Sequence, residues 1–195
     1  MKTIKMSVIA FLMGVSSVIA QTNWIMDPVH SKVIFSVDHM VISEVTGSFQ
    51  KFDAKVSSTN EDFTGSAIEF TIETKSINTD NEMRDTHLKS DDFFNAEKYP
   101  QIKFKGKSLK KVQGNKYVLT GDLTIRDVTK TITLDVKYNG TILDPYKNTR
   151  AGFKVEGAIN RLDYGLKYNK IIEAGGAVVG NTITIVVNIE FTKQK

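Results

Sequence analysis

The stretch 183-ITIVVNIEF-191 decides the fold, because Ile183, Ile185, Val187, Ile189 and Phe191 all share one parity. A period of two marks a β-strand with one buried face, since successive side chains leave the backbone on opposite sides. Working outward, the same alternation runs through Phe153, Val155, Ile159; through Ile132, Leu134, Val136, Tyr138; and through Tyr117, Leu119, Leu123, Ile125. It recurs in Ile102 and Phe104, with Lys103, Lys105 and Lys107 opposite, in Ile68, Phe70 and Ile72, and in Val33, Phe35, Val37 and His39. A less regular run from Gly47 to Val56 slips phase between Phe49 and Phe52, as a β-bulge would make it do. Counting that run gives eight strands, with Gly114-Asn115, Asn139-Gly140 and Gly180-Asn181 as the expected turns.

One segment breaks the pattern. In 79-TDNEMRDTHLKS-90, Thr79 and Glu82 have capping-box spacing, and Arg84/Leu88 and Asp85/Lys89 are four apart, which predicts a short helix inserted between strands. The expected fold class is therefore all-β, an eight-stranded antiparallel barrel with a short helical insertion; a sandwich satisfies the same pattern. Eight strands is the size at which a barrel is either filled by side chains or holds one small ligand. Gly106, Gly121 and Gly157 on the inward parity either leave space there or mark bends that close the barrel.

The 195 residues are 41% apolar and 25% charged, with 3 Pro and 13 Gly, which excludes a disordered or collagen-like chain. The formal charge is +4, of which Lys2 and Lys5 supply two, and no run of five or six basic residues occurs. That excludes a dedicated nucleic-acid surface. Lys2 and Lys5 precede an apolar stretch from Val8 to Val15 and the small-residue site ending at Ala20. This is the pattern of a signal peptide over residues 1–20, cleaved before Gln21, with one domain from 21 to 195 in the periplasm or outside the cell. The apolar stretch is too short for the ~20 residues of a membrane span.

With no Cys in the chain there is no disulfide, thiolate nucleophile or thiolate metal site. His30 and His39, nine apart, point to opposite faces of an unbroken first strand, and no spaced ligand cluster exists, so no metal or cofactor is expected. No G-x-S-x-G motif occurs, and Asp91 and Asp92 are expected to cap or end the helix. Arg84 stands out, because the helix sets it near His87 and Leu88, where a cation meets a polar or anionic ligand head or serves an ordinary ion pair. Asn160-Arg161 is a second such pair.

The segments HSKVIFSVDHM, GSFQKF, SINTDNEMRDTHLKSDDFFNAEKYPQIKFKG, LTGDLTIRDVTKTITL, GAINRLDYGL and VVGNTITIVVNIEF, in this order, resemble the YceI-like polyisoprenoid-binding family of exported bacterial proteins. The resemblance spans the mature chain, and RDTHLKSDDFFNAEKYP is its most specific piece. It implies a lipocalin-like barrel with a helix near the opening and an elongated apolar tunnel. It also implies a ligand such as a polyisoprenoid, an isoprenoid quinone or a fatty-acid derivative. Matching positions are His30, Ser31, His39, Arg84, Asp85, His87, Leu88, Phe93, Phe94, Pro100, Asn160 and Arg161, while Asp127 and Asp38 depart from the family pattern.

The ligand-binding set expected on these grounds is Phe35, Val37, His39, Phe70, Ile72, Arg84, His87, Leu88, Phe93, Phe104, Phe153, Arg161 and Ile185, with no catalytic residue. The last strand, read from Asn181 to Phe191, would be about 36 Å long, enough for an extended lipid chain. A homodimer and a transient membrane contact are compatible with this reading. Its rivals are an outer-membrane barrel, disfavoured by the helix and the Lys103/Lys105/Lys107 face, an enzyme with His39 or His87 as base, and a filled structural barrel.

Overall fold

The computed structural model describes residues 21–171 and 177–194. The expected signal peptide therefore lies outside the described residues.

The strands are β1 (Thr22–Met26), β2 (Lys32–His39), β3 (Ser43–Phe49), β4 (Phe52–Ser58), β5 (Ala67–Glu73) and β6 (Ile77–Asn78). The helix α1 (Glu82–Lys89) follows, and then β7 (Gln101–Gln113), β8 (Lys116–Ile125), β9 (Val128–Leu143), β10 (Thr149–Asn160) and β11 (Val179–Lys193). These eleven segments fill eight barrel positions, because β1/β2, β3/β4 and β5/β6 are each one position broken once. Every neighbour is antiparallel and in chain order. β11 pairs with β10 on one side and with both β2 and β1 on the other, which closes the sheet on itself. Closure removes the long open edge that an alternating sheet of this length would otherwise expose.

The phase slip after Phe49 is such a break and not a bulge. Gln50 N and Lys51 N donate to Ser76 O and Oγ (both 3.0 Å), and Glu73 N donates to Lys51 O (2.9 Å). Two broken positions are thus stitched to each other. The third break, at 27–31, is held where Glu190 N donates to Ser31 Oγ (3.1 Å). It also takes His30 out of the ladder, so the opposite-face argument drawn from an unbroken strand does not apply; His30 Nδ1 instead lies 3.0 Å from Asp27 Oδ2.

Two of the three expected turns fall inside strands. Asn139-Gly140 sits in β9 where the register to β10 shifts, with Gly140 at φ +114°, and the chain reverses later, at Asp144–Asn148. Gly180-Asn181 sits in β11 at another register shift, where the Gly180 backbone lies close against Asp38. Gly114-Asn115 is a true hairpin turn. β1 lies outside the eight expected runs, yet its Trp24 and Met26 are core.

Of the inward glycines, Gly121 and Gly157 leave no hole. A methyl group at Gly121 would overlap the Phe104 ring, and one at Gly157 would overlap Leu134, so each lets a neighbour lie flat on the wall. Gly106 stands at a register shift between β7 and β8, the bend alternative.

One end of the barrel is closed by the β4–β5 loop. Phe63, 1% exposed, inserts there with its ring 4.9 Å from Trp24, 5.0 Å from Phe153 and 5.5 Å from Tyr138. The other end carries the β2–β3 hairpin, α1, the β8–β9 turn and the segment leading into β11.

Candidate functional site

Between the aromatic plug and α1 the interior is hollow. The cavity measures about 220 Å³, and its lining is aliphatic and aromatic except for Glu156 and Arg161. Glu156 belongs to the outward parity of β10, and its carboxylate pairs with Lys154 (2.7 Å). Of the expected residues, Phe35, Val37, Phe70, Ile72, Leu88, Phe93, Phe104, Phe153, Arg161 and Ile185 all line this space. Alternation also brings in Ile132, Leu134, Val155, Ile183 and Val187, whose parity was legible but which were not singled out.

Above it lies a second space of about 190 Å³, where His39, Arg84 and His87 meet Thr79, Asp38 and Tyr168. The two spaces share Phe35, Val37, Leu88, Phe93 and Val179, so these apolar side chains form the neck between an oily chamber and a polar mouth.

The helix at the mouth starts later than expected. Asn81 is its N-cap, accepting from Arg84 N (3.0 Å), so Thr79 and Glu82 do not form a capping box. Thr79 instead bonds both ways: its Oγ1 donates to Asp85 Oδ1 (2.6 Å) and accepts from Arg84 Nε (2.7 Å), while its carbonyl accepts from Arg84 Nη2 (2.7 Å). Among the described residues no carboxylate lies within ion-pair distance of Arg84, so its charge stands at the mouth without a counter-ion.

Asp91 and Asp92 do not cap the helix either, since Ser90 is its C-cap. Asp92 Oδ2 lies 2.8 Å from His87 Nε2, whose ring packs edge-on against Phe93 and Tyr168. Asp91 pairs with Arg126 (2.8 Å), and Arg126 Nη1 also donates to the carbonyls of Asp91, Phe93 and Gly165. One guanidinium thereby fixes the segment that carries Phe93 into the neck. The hydrogen bonds from Asn95 and the Arg126 charge hold the Asp91 carboxyl below its ordinary pKa. Asp127, the departure in the β8–β9 turn, accepts from Tyr99 Oη (3.1 Å).

Arg161 behaves differently from Arg84. It is 2% exposed, and its donors go to the carbonyls of Gly180 (2.8 Å), Leu166 (2.7 Å) and Val179 (3.0 Å). Burial pushes its pKa down, with the carbonyl dipoles solvating the charge. It ties the chain after β10 to the start of β11. Neither Arg126 nor Tyr168 was marked from the sequence, because both lie in irregular segments without a period.

Among the described residues, Asp27, His30 and Glu190 could each offer one ligand atom to a metal. Arg150 Nη1 already donates to both carboxylates (2.6 Å each), so a guanidinium occupies the place of a cation.

A closed barrel of eight antiparallel positions, hollow along its middle and carrying a helix at one mouth, defines a class of small internal-cavity barrels. Residues 24–191 match the YceI-like domain model, and the chain belongs to that family. It is 40% identical over 172 residues to a UPF0312 protein of Staphylococcus aureus (strain N315), covering 88% of this chain and 98% of that one. Among solved structures it is similar to a Campylobacter jejuni YceI protein (30% identity, 81% of this chain and 90% of that one, TM-score 0.70). It shares its fold with Burkholderia cenocepacia BcnA (23%, 85% and 98%, TM-score 0.73). It also shares it with a polyisoprenoid binding domain from Saccharophagus degradans (15%, 88% and 98%, TM-score 0.64).

Proposed function

We propose that this protein binds a long-chain amphiphile without chemistry, as a carrier or store, with the chain in the apolar cavity and its polar end at the mouth. The classes that fit are a polyisoprenoid, an isoprenoid quinone or a fatty-acid derivative. The observation that carries the reading is the cavity of about 220 Å³ whose lining, among the described residues, holds no buried carboxylate and one arginine bonded to three carbonyls. Water needs two to four polar partners to stay in such a space, whereas an apolar hole of ~150 Å³ suffices to hold benzene. Each buried methylene contributes about 0.8 kcal/mol, so a dozen supply on the order of 10 kcal/mol before immobilisation is subtracted. The Saccharophagus degradans domain described as polyisoprenoid binding has the same fold, which supports the ligand class.

The test is mass spectrometry of lipid extracted from the purified protein, beside an Ile185→Trp variant that fills the chamber. A prenyl or acyl chain in the parent, absent from a folded variant, is the expected result. A parent that copurifies with no lipid and takes up no prenyl chain overturns the reading. Turnover of a bound lipid that disappears in His39→Ala would replace the carrier by an enzyme. We also propose export with cleavage after Ala20, so that protein recovered from the periplasm or the medium has a mass beginning at Gln21; uncleaved protein inside the cell refutes this.

A further inference from the structure

The mouth has an apolar rim that the barrel itself does not use. Between β2 and β3 the chain turns through Met40, Val41 and Ile42, and Val41 and Ile42 are 75% and 85% exposed. Met40 N donates to Val178 O (3.0 Å), which fastens this tip beside Val178 and Val179, both in the wall of the mouth. Met83, 83% exposed, stands on α1 next to Arg84, and Ile171, 72% exposed, follows Lys170, whose carbonyl accepts from Val178 N (2.9 Å). With Met40, 37% exposed, five apolar side chains thus face water around the opening of an oily cavity.

The backbone at the tip makes this arrangement unfavourable for a free-standing surface. Met40 and Val41 have φ of 51° and 64°, the left-handed region that Gly or Asn enters at little cost and a β-branched residue does not. A polar turn residue would relieve both the strain and the exposure, so the aliphatic residues serve something outside the fold. The charges nearby are mixed, with Arg84, Lys89, Lys167 and Lys170 against Asp38, Glu44 and Glu82 among the described residues. Both signs of charge are present around the rim among the described residues, and an apolar medium is what its side chains suit.

We propose that the rim of Met40, Val41, Ile42, Met83 and Ile171 dips into a lipid bilayer, and that the cavity takes its amphiphile from that bilayer through the mouth. Delivery of cargo rests on the carrier reading above; docking does not. A chain too apolar to cross water then passes from one oily phase to another past the Phe35/Leu88/Phe93 neck.

The experiment uses full mature protein and phosphatidylcholine vesicles carrying ubiquinone. Vesicle flotation reads docking, and quinone recovered with re-isolated protein reads extraction. The rim variant is Val41→Asn with Ile42→Ser. The control variant is Ile142→Ser with Leu143→Ser, two exposed aliphatic residues (65% and 67%) at the plugged end. The expected result is about a tenfold loss of flotation in the rim variant, with parent-like flotation in the control and no weakening of parental binding at high salt. The rim variant should load from ethanol-dispersed quinone like the parent and unfold at no lower temperature, since Asn relieves the turn. Parent-like flotation of the rim variant, an equal loss in the control, or a parent dimer that the rim substitutions dissociate would each overturn the proposal. A parent that floats but takes up quinone from neither source would sink the carrier reading and leave docking standing.

Discussion

The two ends of this barrel are built from the same alternating strands and do opposite things. At the plugged end, Phe63 sits among Trp24, Tyr138 and Phe153, and Tyr138 and Phe153 stack with centroids 5.1 Å apart. At the open end, a helix and two arginine-held segments stand over the neck, and the polar side chains gather. The difference teaches that strand pattern makes a barrel, whereas what enters from the loops decides whether an end is core or doorway. A single aromatic residue brought in by the β4–β5 loop is enough to turn a ring of strand ends into packed interior.

The largest effect should come from undoing that plug. Phe63→Ala removes a fully buried ring, and about 3–5 kcal/mol of stability should be lost in urea denaturation followed by Trp24 fluorescence. Trp24 is the single tryptophan and touches Phe63, so it reports that end directly. A change below about 1 kcal/mol would mean that the strands alone close this end.

The open end should lose somewhat less from its own structural residue. Arg161→Met takes the guanidinium donors from one buried and two part-buried carbonyls, and a cost of about 3 kcal/mol follows. A near-neutral result in the same denaturation experiment would show that water replaces the guanidinium, and that the join between the end of β10 and the start of β11 does not depend on it.

How much of this was readable beforehand follows the same division. The eight positions were legible because a buried face imposes a period of two, and the chamber residues from Phe35 to Ile185 share that parity. The broken positions were harder to read, because Gln50, Lys51 and Ser76 bond across positions, and local sequence does not record which strand will be adjacent. Asn139-Gly140 and Gly180-Asn181 looked like turns because a bulge and a turn ask for the same residues. At the mouth, Arg84 within the helix and Arg161 at a strand end read alike, each as a cation able to meet a polar ligand head. Only the fold separates them, since the partners of Arg161 are backbone carbonyls up to 19 residues away, while those of Arg84 lie within five.

That contrast can be sharpened with Arg84→Ala. The side chain is exposed on a short helix, so stability should move by no more than about 0.5 kcal/mol. If the mouth holds the polar end of a ligand, retention of a bound quinone should weaken by about 1 kcal/mol, roughly fivefold, in a competition assay. Unchanged retention would assign Arg84 to its Thr79 contacts alone.

The smallest effect appears only in acid and belongs to the plugged end. Asp144 accepts from Arg150 Nε (2.7 Å) and from the backbone of Tyr146 and Asn148, and these bonds hold its carboxyl down at about 2. Asp27, beside His30 and Arg150, is likewise held below the ordinary range. A depressed carboxylate binds its proton less readily folded than unfolded, so its contribution is complete above the ordinary value near 4 and fades as pH falls toward the folded one. Stability should therefore be level between pH 5 and 7 as far as these two groups decide it, and decline below about pH 4. His30 adds the opposite slope, because Asp27 raises its pKa: its contribution is present below the ordinary value and is lost as pH rises through the folded one. Asp144→Asn should flatten the acid limb of the urea midpoint against pH while leaving quinone retention alone. An acid limb that keeps its slope in Asp144→Asn would move the pH dependence away from Asp144 and onto the other carboxylates, Asp27 first.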